Sequence, residues 1–233
     1  MFKLRKSKER GYTQLNWLES WHTFSFDSYY DPEYEHFASL RVINEDTVAP
    51  KAGFGTHPHQ DMEILTYVLQ GVLEHKDSLG NGSIIRTGEL QRMSAGTGIF
   101  HSEYNHSQDN PVHLLQIWII PNRHGLIPGY EQKQFDIKYG AGWKLIASEQ
   151  GSEGSLKIHQ DAFVYATKLE SGENLAYNVD RQRAVWLQIA EGNLLVNDNQ
   201  MSAGDGAAIS ELKSVELVSS ASSHILLFDL AAK

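Results

Sequence analysis

Two antiparallel β-barrels in one all-β chain are the predicted architecture. Three observations predict it: short apolar runs, turn residues between them, and a faint internal repeat. The runs at 64–69, 114–120 and 185–189 are rich in β-branched and aromatic residues and are strand-length, not helix-length. Gly80-Asn81-Gly82 and Asn197-Asp198-Asn199 stand between such runs and read as hairpin turns. No long segment sustains a 3.6-residue period, which leaves a sandwich or barrel. In the repeat, Val68-Leu69-Gln70-Gly71 ends a strand, and Thr87-Gly88-Glu89-Leu90 and Met93-Ser94-Ala95-Gly96 follow. Ile189-Ala190-Glu191-Gly192 does the same ahead of Met201-Ser202-Ala203-Gly204-Asp205-Gly206. Similar gaps between these features point to duplication, with a junction near the Gly-rich Tyr139-Gly140-Ala141-Gly142. A first domain over 1–137 and a second over 138–233 are expected.

Composition removes several classes of function. Lys+Arg is 20 and Asp+Glu 29, a net charge of −9, which does not suit neutralising nucleic-acid phosphates. Cysteine is absent, so disulfides, thiol catalysis and cysteine-ligated metal are excluded. No stretch reaches the roughly 20 apolar residues that span a membrane. The basic start, Met1-Phe2-Lys3-Leu4-Arg5-Lys6, lacks the apolar region of a secretory signal, so a cytoplasmic location is expected. The cluster Lys3, Arg5, Lys6, Lys8 and Arg10 reads as a charged edge strand. No phosphate-binding glycine motif and no Ser/His/Asp arrangement is present.

Two segments concentrate histidine with carboxylate. Gly55-Thr56-His57-Pro58-His59-Gln60-Asp61-Met62-Glu63 leads into a strand. Gly96-Thr97-Gly98-Ile99-Phe100-His101-Ser102-Glu103-Tyr104-Asn105 follows the second glycine-rich turn. Residues i and i+2 of a strand point the same way, about 6.6 Å apart. His57 and His59 can therefore share a face, and so can His101 and Glu103. Two such strands side by side present three imidazoles and one carboxylate, able to converge at nitrogen–metal distances of about 2.1 Å. That set suits Fe(II), Mn, Ni, Cu or Zn and leaves positions open for water, substrate or oxygen. Pro58 biases His57 toward extended backbone and implies an edge strand or a bulge.

These segments resemble the two motifs of the cupin superfamily. His57-x-His59, three residues, Glu63, seven residues and Gly71 correspond to the first, with its leading Gly displaced to Gly53. Gly88, Ser94-x-Gly96, His101 and Asn105 correspond to the second, with Ser94 in place of Pro and two extra residues before His101. The departures narrow the resemblance to the pirins. Trp21-His22-Thr23-Phe24-Ser25-Phe26, Tyr29-Tyr30-Asp31-Pro32 and Leu40-Arg41-Val42-Ile43-Asn44 resemble the amino-terminal signature of bacterial members described as quercetin 2,3-dioxygenases. The resemblance implies a bicupin of two jelly-roll barrels. It implies His57, His59, His101 and Glu103 as metal ligands, Glu63 being kept as a supporting or structural residue. One divalent ion per chain is implied, Fe(II) first, with Mn, Ni, Cu, Co or Zn compatible. The second half has His159 and His224 but no His-x-His, and is expected to be metal-free.

The remaining histidines are given plainer roles. His22 and His36 are expected to pack the first strands, and His75 to face solvent on a hairpin. His106, His113 and His124 have no partner at ligand spacing and are taken as structural. The implied activity is oxygen-dependent cleavage of a flavonol such as quercetin, with Glu103 as the candidate base. The alternative is a metal- or redox-responsive regulator that binds a protein partner, a reading that the acidic charge accommodates. A monomer, no direct nucleic-acid contact and no membrane contact are expected.

Overall fold

A computed structural model describes residues 1–232. The chain opens with β1 (Phe2–Arg5). It continues through β2 (Gly11–Gln14), β3 (Leu18–His22), β4 (Leu40–Val48), β5 (Gly53–His59), β6 (Glu63–Gln70) and β7 (Val72–Asp77). Next come β8 (Gly82–Arg86), β9 (Glu89–Ser94), β10 (Ile99–Asn105), β11 (Val112–Ile119) and β12 (Gly129–Gln134). The second half supplies β13 (Lys144–Ser148), β14 (Leu156–Lys157), β15 (Ala162–Leu169), β16 (Asn174–Asn178) and β17 (Arg183–Glu191). It ends with β18 (Asn193–Val196), β19 (Asn199–Ser202), β20 (Gly206–Ser210), β21 (Ser214–Ser219) and β22 (Ser223–Ala231). Only two short 3₁₀ turns interrupt this pattern among the described residues, and no helix is long and apolar enough to cross a membrane.

Each half of the chain builds a seven-stranded and a four-stranded sheet. In the first half the orders are β12-β9-β6-β11-β4-β3-β2 and β5-β10-β7-β8. In the second they are β1-β20-β17-β22-β15-β13-β14 and β16-β21-β18-β19. Strands β4–β11 and β15–β22 thus follow one eight-strand path twice, which is the jelly-roll bicupin. The edge place beside β9 is filled by β12, from just after the eight strands. The matching place beside β20 is filled by β1, from the start of the chain.

The chain forms two compact units. One holds Gly11–Phe135 with Ile158–Gln160, and the other holds Met1–Arg10, Asp136–Lys157 and the residues from Asp161 onward. The unit changes at 135/136, and residues 1–10 and 158–160 each belong with the other half of the chain. An edge strand is held by backbone hydrogen bonds that any sequence can make, so composition does not reveal which sheet β1 joins. The basic cluster is an edge strand followed by an ion pair, Lys6 Nζ to Asp205 Oδ2 at 3.0 Å.

The interior of the first barrel is layered. Ile64, Met93, Ala95 and Ile99 form one apolar cluster, and Val68, Leu73, Ile85, Val112 and Leu114 belong to another. Between them lies a polar row set by register: Gln91 pairs with Thr66, Thr66 with Gln116, Gln116 with Asn44, and Asn44 with His22. Directly paired residues share a face, so the row faces inward with Thr66. The second barrel has no such row in its center; Val185, Leu187, Ile189, Leu217, Ile225 and Leu227 fill it.

Gly71 and Gly192 occupy matching turns, after β6 and after β17, with φ of +86° and +90°. A Cβ on Gly192 would collide with the Ser222 carbonyl oxygen and Ser223 Oγ. Gly80 has φ +90° but meets nothing within 4 Å. Gly80→Ala should therefore cost only the backbone strain of about 1–2 kcal/mol. Gly192→Ala should cost about 1–3 kcal/mol more, because crowding adds to strain. Urea denaturation of the two variants checks the order.

Candidate metal centre

Strands β5 and β10 are neighbours in the small sheet, and their register decides which side chains meet. His101 stands opposite His57, and Ile99 opposite His59. The register slips between His101 and Glu103, so Glu103 pairs with Phe54. The extra residue bulges β5, which is the edge strand. Pro58 is tolerated there because an edge position spares it a ladder hydrogen bond.

The three imidazoles converge. Ring centroids lie 4.4 Å apart for His57–His101, 4.8 Å for His57–His59 and 4.9 Å for His59–His101. One ring nitrogen of each lies within 4.8 Å of the others. His57 Nδ1 donates to the Gly55 carbonyl at 2.8 Å, so its Nε2 carries the lone pair. His101 Nε2 is buried with no hydrogen-bond partner. A buried ring nitrogen left unpaired is costly, and a divalent ion at this point would complete it. The donor set and the orphaned nitrogen therefore fit a metal.

Burial favours neutral rings at His59 and His101. Burial, reinforced by His57, lowers the His59 pKa to about 4. Burial, then the charges of His57, His59 and His75, lowers that of His101 to about 2. Glu103 moves the other way. Burial and the nearby Asp46 raise it to about 7, against hydrogen bonds from Thr66 and Gln116. Thr66 Oγ1 donates to its Oε1 at 3.2 Å and Gln116 Nε2 to its Oε2 at 2.8 Å. Its carboxylate groups with His75 and His101, so His101 is shared between two overlapping donor clusters.

A cavity of about 400 Å³ opens onto this cluster, within the usual range of small-molecule sites. His57, His59 and Glu103 share its wall with the aromatic side chains of Trp17, Phe26, Phe54 and Trp118. Trp118 lies edge-on to His59 at 5.0 Å and to Phe26 at 5.4 Å. A second stretch of wall is polar. His22 bonds Asn44 Oδ1 through Nδ1 and Thr13 Oγ1 through Nε2, each at 2.9 Å. Asp46 accepts from Ser20, and burial raises its pKa to about 6.

The Pirin family model matches residues 3–119, and the model for the quercetinase C-terminal cupin domain matches 145–230. A quercetin 2,3-dioxygenase of Escherichia coli strain K12 is 48% identical over 230 residues, 99% of each chain. The chain belongs to the pirin family. Among solved structures, this pirin matches YhhW from Escherichia coli with a TM-score of 0.97 and 48% identity, covering 100% of this chain and 99% of the other. A nickel(II) complex of the same bacterial pirin matches with a TM-score of 0.96 and 47% identity, over 100% of both chains.

Several residues of this pirin lie elsewhere than their sequence context suggests. Glu63 shares sequence parity with His57 and His59, yet it opens β6 in the other sheet. Asp61, at φ +47°, ends the regular alternation between them. Glu63 is fully buried, accepts from Ser94 Oγ at 2.9 Å and lies 3.3 Å from His159 Nδ1. His75 was expected in solvent and is instead fully buried; burial lowers its pKa, against the pull of Asp77. His22 was expected as packing and instead lines the cavity. Its role rests on the pairing with Asn44, which no spacing rule contains. His113 pairs with Glu45 at 3.0 Å, His106 with Glu74 at 3.2 Å, His124 with Asp61 at 3.3 Å, and His36 bonds the Ala38 carbonyl at 3.0 Å.

The lowered values predict a titration. A free histidine with a pKa of about 6.5 is mostly protonated at pH 5. In metal-free protein, the His59 and His101 rings should stay neutral from pH 8 to pH 5, and His59 should protonate around pH 4. NMR of the ring resonances checks this; a His101 midpoint above pH 6 contradicts it.

Proposed function

We propose that this pirin is a metal-dependent dioxygenase that cleaves a flavonol such as quercetin with oxygen. The observation that carries the reading is the convergence of His57, His59 and His101, with a partnerless buried nitrogen, on an aromatic-walled cavity. The names of close relatives support the same chemistry. In this reading His57, His59, His101 and Glu103 hold one divalent first-row ion. Such an ion, when bound, supplies Lewis-acid polarisation of a substrate oxygen and electron exchange with oxygen. Iron(II) is the ion we favour.

The protein's own groups do the rest. Trp17, Phe26, Phe54 and Trp118 present flat apolar surface to the rings of a flavonol and keep water off them. Thr66 and Gln116 hold the Glu103 carboxyl in one orientation. Glu103 lines the cavity and is the group placed to take the hydroxyl proton of the substrate at a carboxylate oxygen. Asn44, Asp46 and His22 line the cavity as polar contacts for hydroxyl groups elsewhere on the ligand.

Elemental analysis of protein purified without a chelating tag, followed by oxygen uptake with quercetin, tests the reading. One ion per chain with quercetin-dependent oxygen consumption is expected; a loaded protein that consumes none overturns the dioxygenase assignment. His57→Ala and His101→Ala should each lose metal at unchanged β-sheet circular dichroism. His159→Ala, which touches Glu63 and not the cluster, should keep full metal stoichiometry.

A further inference from the structure

His75 lies on β7 directly across the ladder from Glu103, and its side chain is fully buried. A polar group stands at each of its ring nitrogens. Nε2 is 3.3 Å from Asp77 Oδ2, and Nδ1 is 3.5 Å from His101 Nδ1. This chain of contacts has a direction. A carboxylate only accepts, so the hydrogen of His75 is on Nε2. A neutral ring carries a single N–H, so Nδ1 of His75 is a lone pair and must accept. The donor to it is therefore His101 Nδ1–H. That leaves His101 Nε2 as the lone pair, and this is the buried, partnerless atom grouped with His57 and His59.

The far end of the chain is anchored. Asp77 Oδ1 accepts the backbone N–H groups of Leu79 at 2.9 Å and Asn81 at 3.0 Å, and Oδ2 accepts Asn81 Nδ2 at 2.9 Å. The hairpin between β7 and β8 thus fixes the carboxylate before any ligand binds.

Packing alone does not call for an imidazole at this place. In the second barrel, Tyr177 pairs with Val215, and Val196 pairs with Leu217. The common topology puts these four at the places of His57, His101, His75 and Glu103. There a fully buried valine fills the position of His75. The imidazole occurs in the barrel that has the histidine cluster and is replaced by an apolar side chain in the one that does not.

We propose that Asp77 and His75 form a positioning relay that locks His101 in its Nδ1–H form and so turns Nε2 toward the metal. The relay rests on the reading of His57, His59 and His101 as ligands. Neither relay residue touches the ion; both act through His101. Outer partners of this kind typically change metal affinity by about 10–100-fold.

The test is ¹⁵N NMR of the histidine rings in metal-free and Zn(II)-loaded protein, with Zn(II) affinity measured by chelator competition. In the metal-free wild type, His101 should show a protonated Nδ1 and an unprotonated Nε2; the reverse tautomer overturns the relay without need of a variant. His75→Phe keeps a planar ring but removes the acceptor. It should mix the His101 tautomers and weaken Zn(II) binding by about 10–100-fold. His75→Gln, whose amide oxygen can accept from His101 Nδ1–H, should restore most of the affinity. Unchanged tautomer and affinity in His75→Phe, or equal losses in Phe and Gln variants, overturns the proposal. His57→Ala, titrated alongside, separates the two ideas: full Zn(II) binding there removes the ligand reading, while the metal-free tautomer still decides the relay.

Discussion

The ladder between β5 and β10 holds His101 opposite His57, and the slip of one residue after it brings Glu103 to Phe54. Shifting an antiparallel strand by one residue turns every side chain to the opposite face. The meeting of His57 with His101 and the placing of Glu103 beside Phe54 both follow from that one register. The bulge on the edge strand is part of it. It absorbs an extra residue where β5 has no second neighbour, so the rest of the sheet keeps its spacing.

The barrel interior explains how polar groups survive around the site. Burying an unpaired carboxyl or imidazole is costly, and the first barrel answers by pairing. Glu103 receives two side-chain donors, His22 has a partner at each nitrogen, and His75 contacts Asp77. Apolar clusters above and below the polar row exclude bulk water and shift the pKa values of the groups inside. The second barrel takes the other course along the same strand path. Where the first has Thr66 and Gln116, the second has Leu187 and Leu227, and its centre is closed by side chains. One strand path serves both barrels, and the choice of inward residues gives one a polar row and the other a packed apolar core.

Much of this was legible in particular residues. His57-x-His59 and His101-x-Glu103 declare shared faces because a strand alternates with period two. Pro58 announced an edge or a bulge, and the structure has both. Applied to Glu63, the same rule would add a carboxylate to the face of His57 and His59, but it assumes an unbroken strand and Asp61 breaks it. His22 and His75 carried no signal, since what they do depends on Asn44 and His101, which are brought beside them by strand pairing and by no sequence spacing.

Hydrophobic alternation, glycine-marked turns and the repeated Gly-acid pattern determined an all-β chain of two similar barrels, and residue type determined where a metal would be sought. These are local properties, written in side-chain period and backbone freedom. Which sheet β1 joins, which carboxylate meets the histidines and which buried ring steers His101 were decided only by tertiary structure. They depend on register between distant strands, and register is set by the packing of the whole barrel.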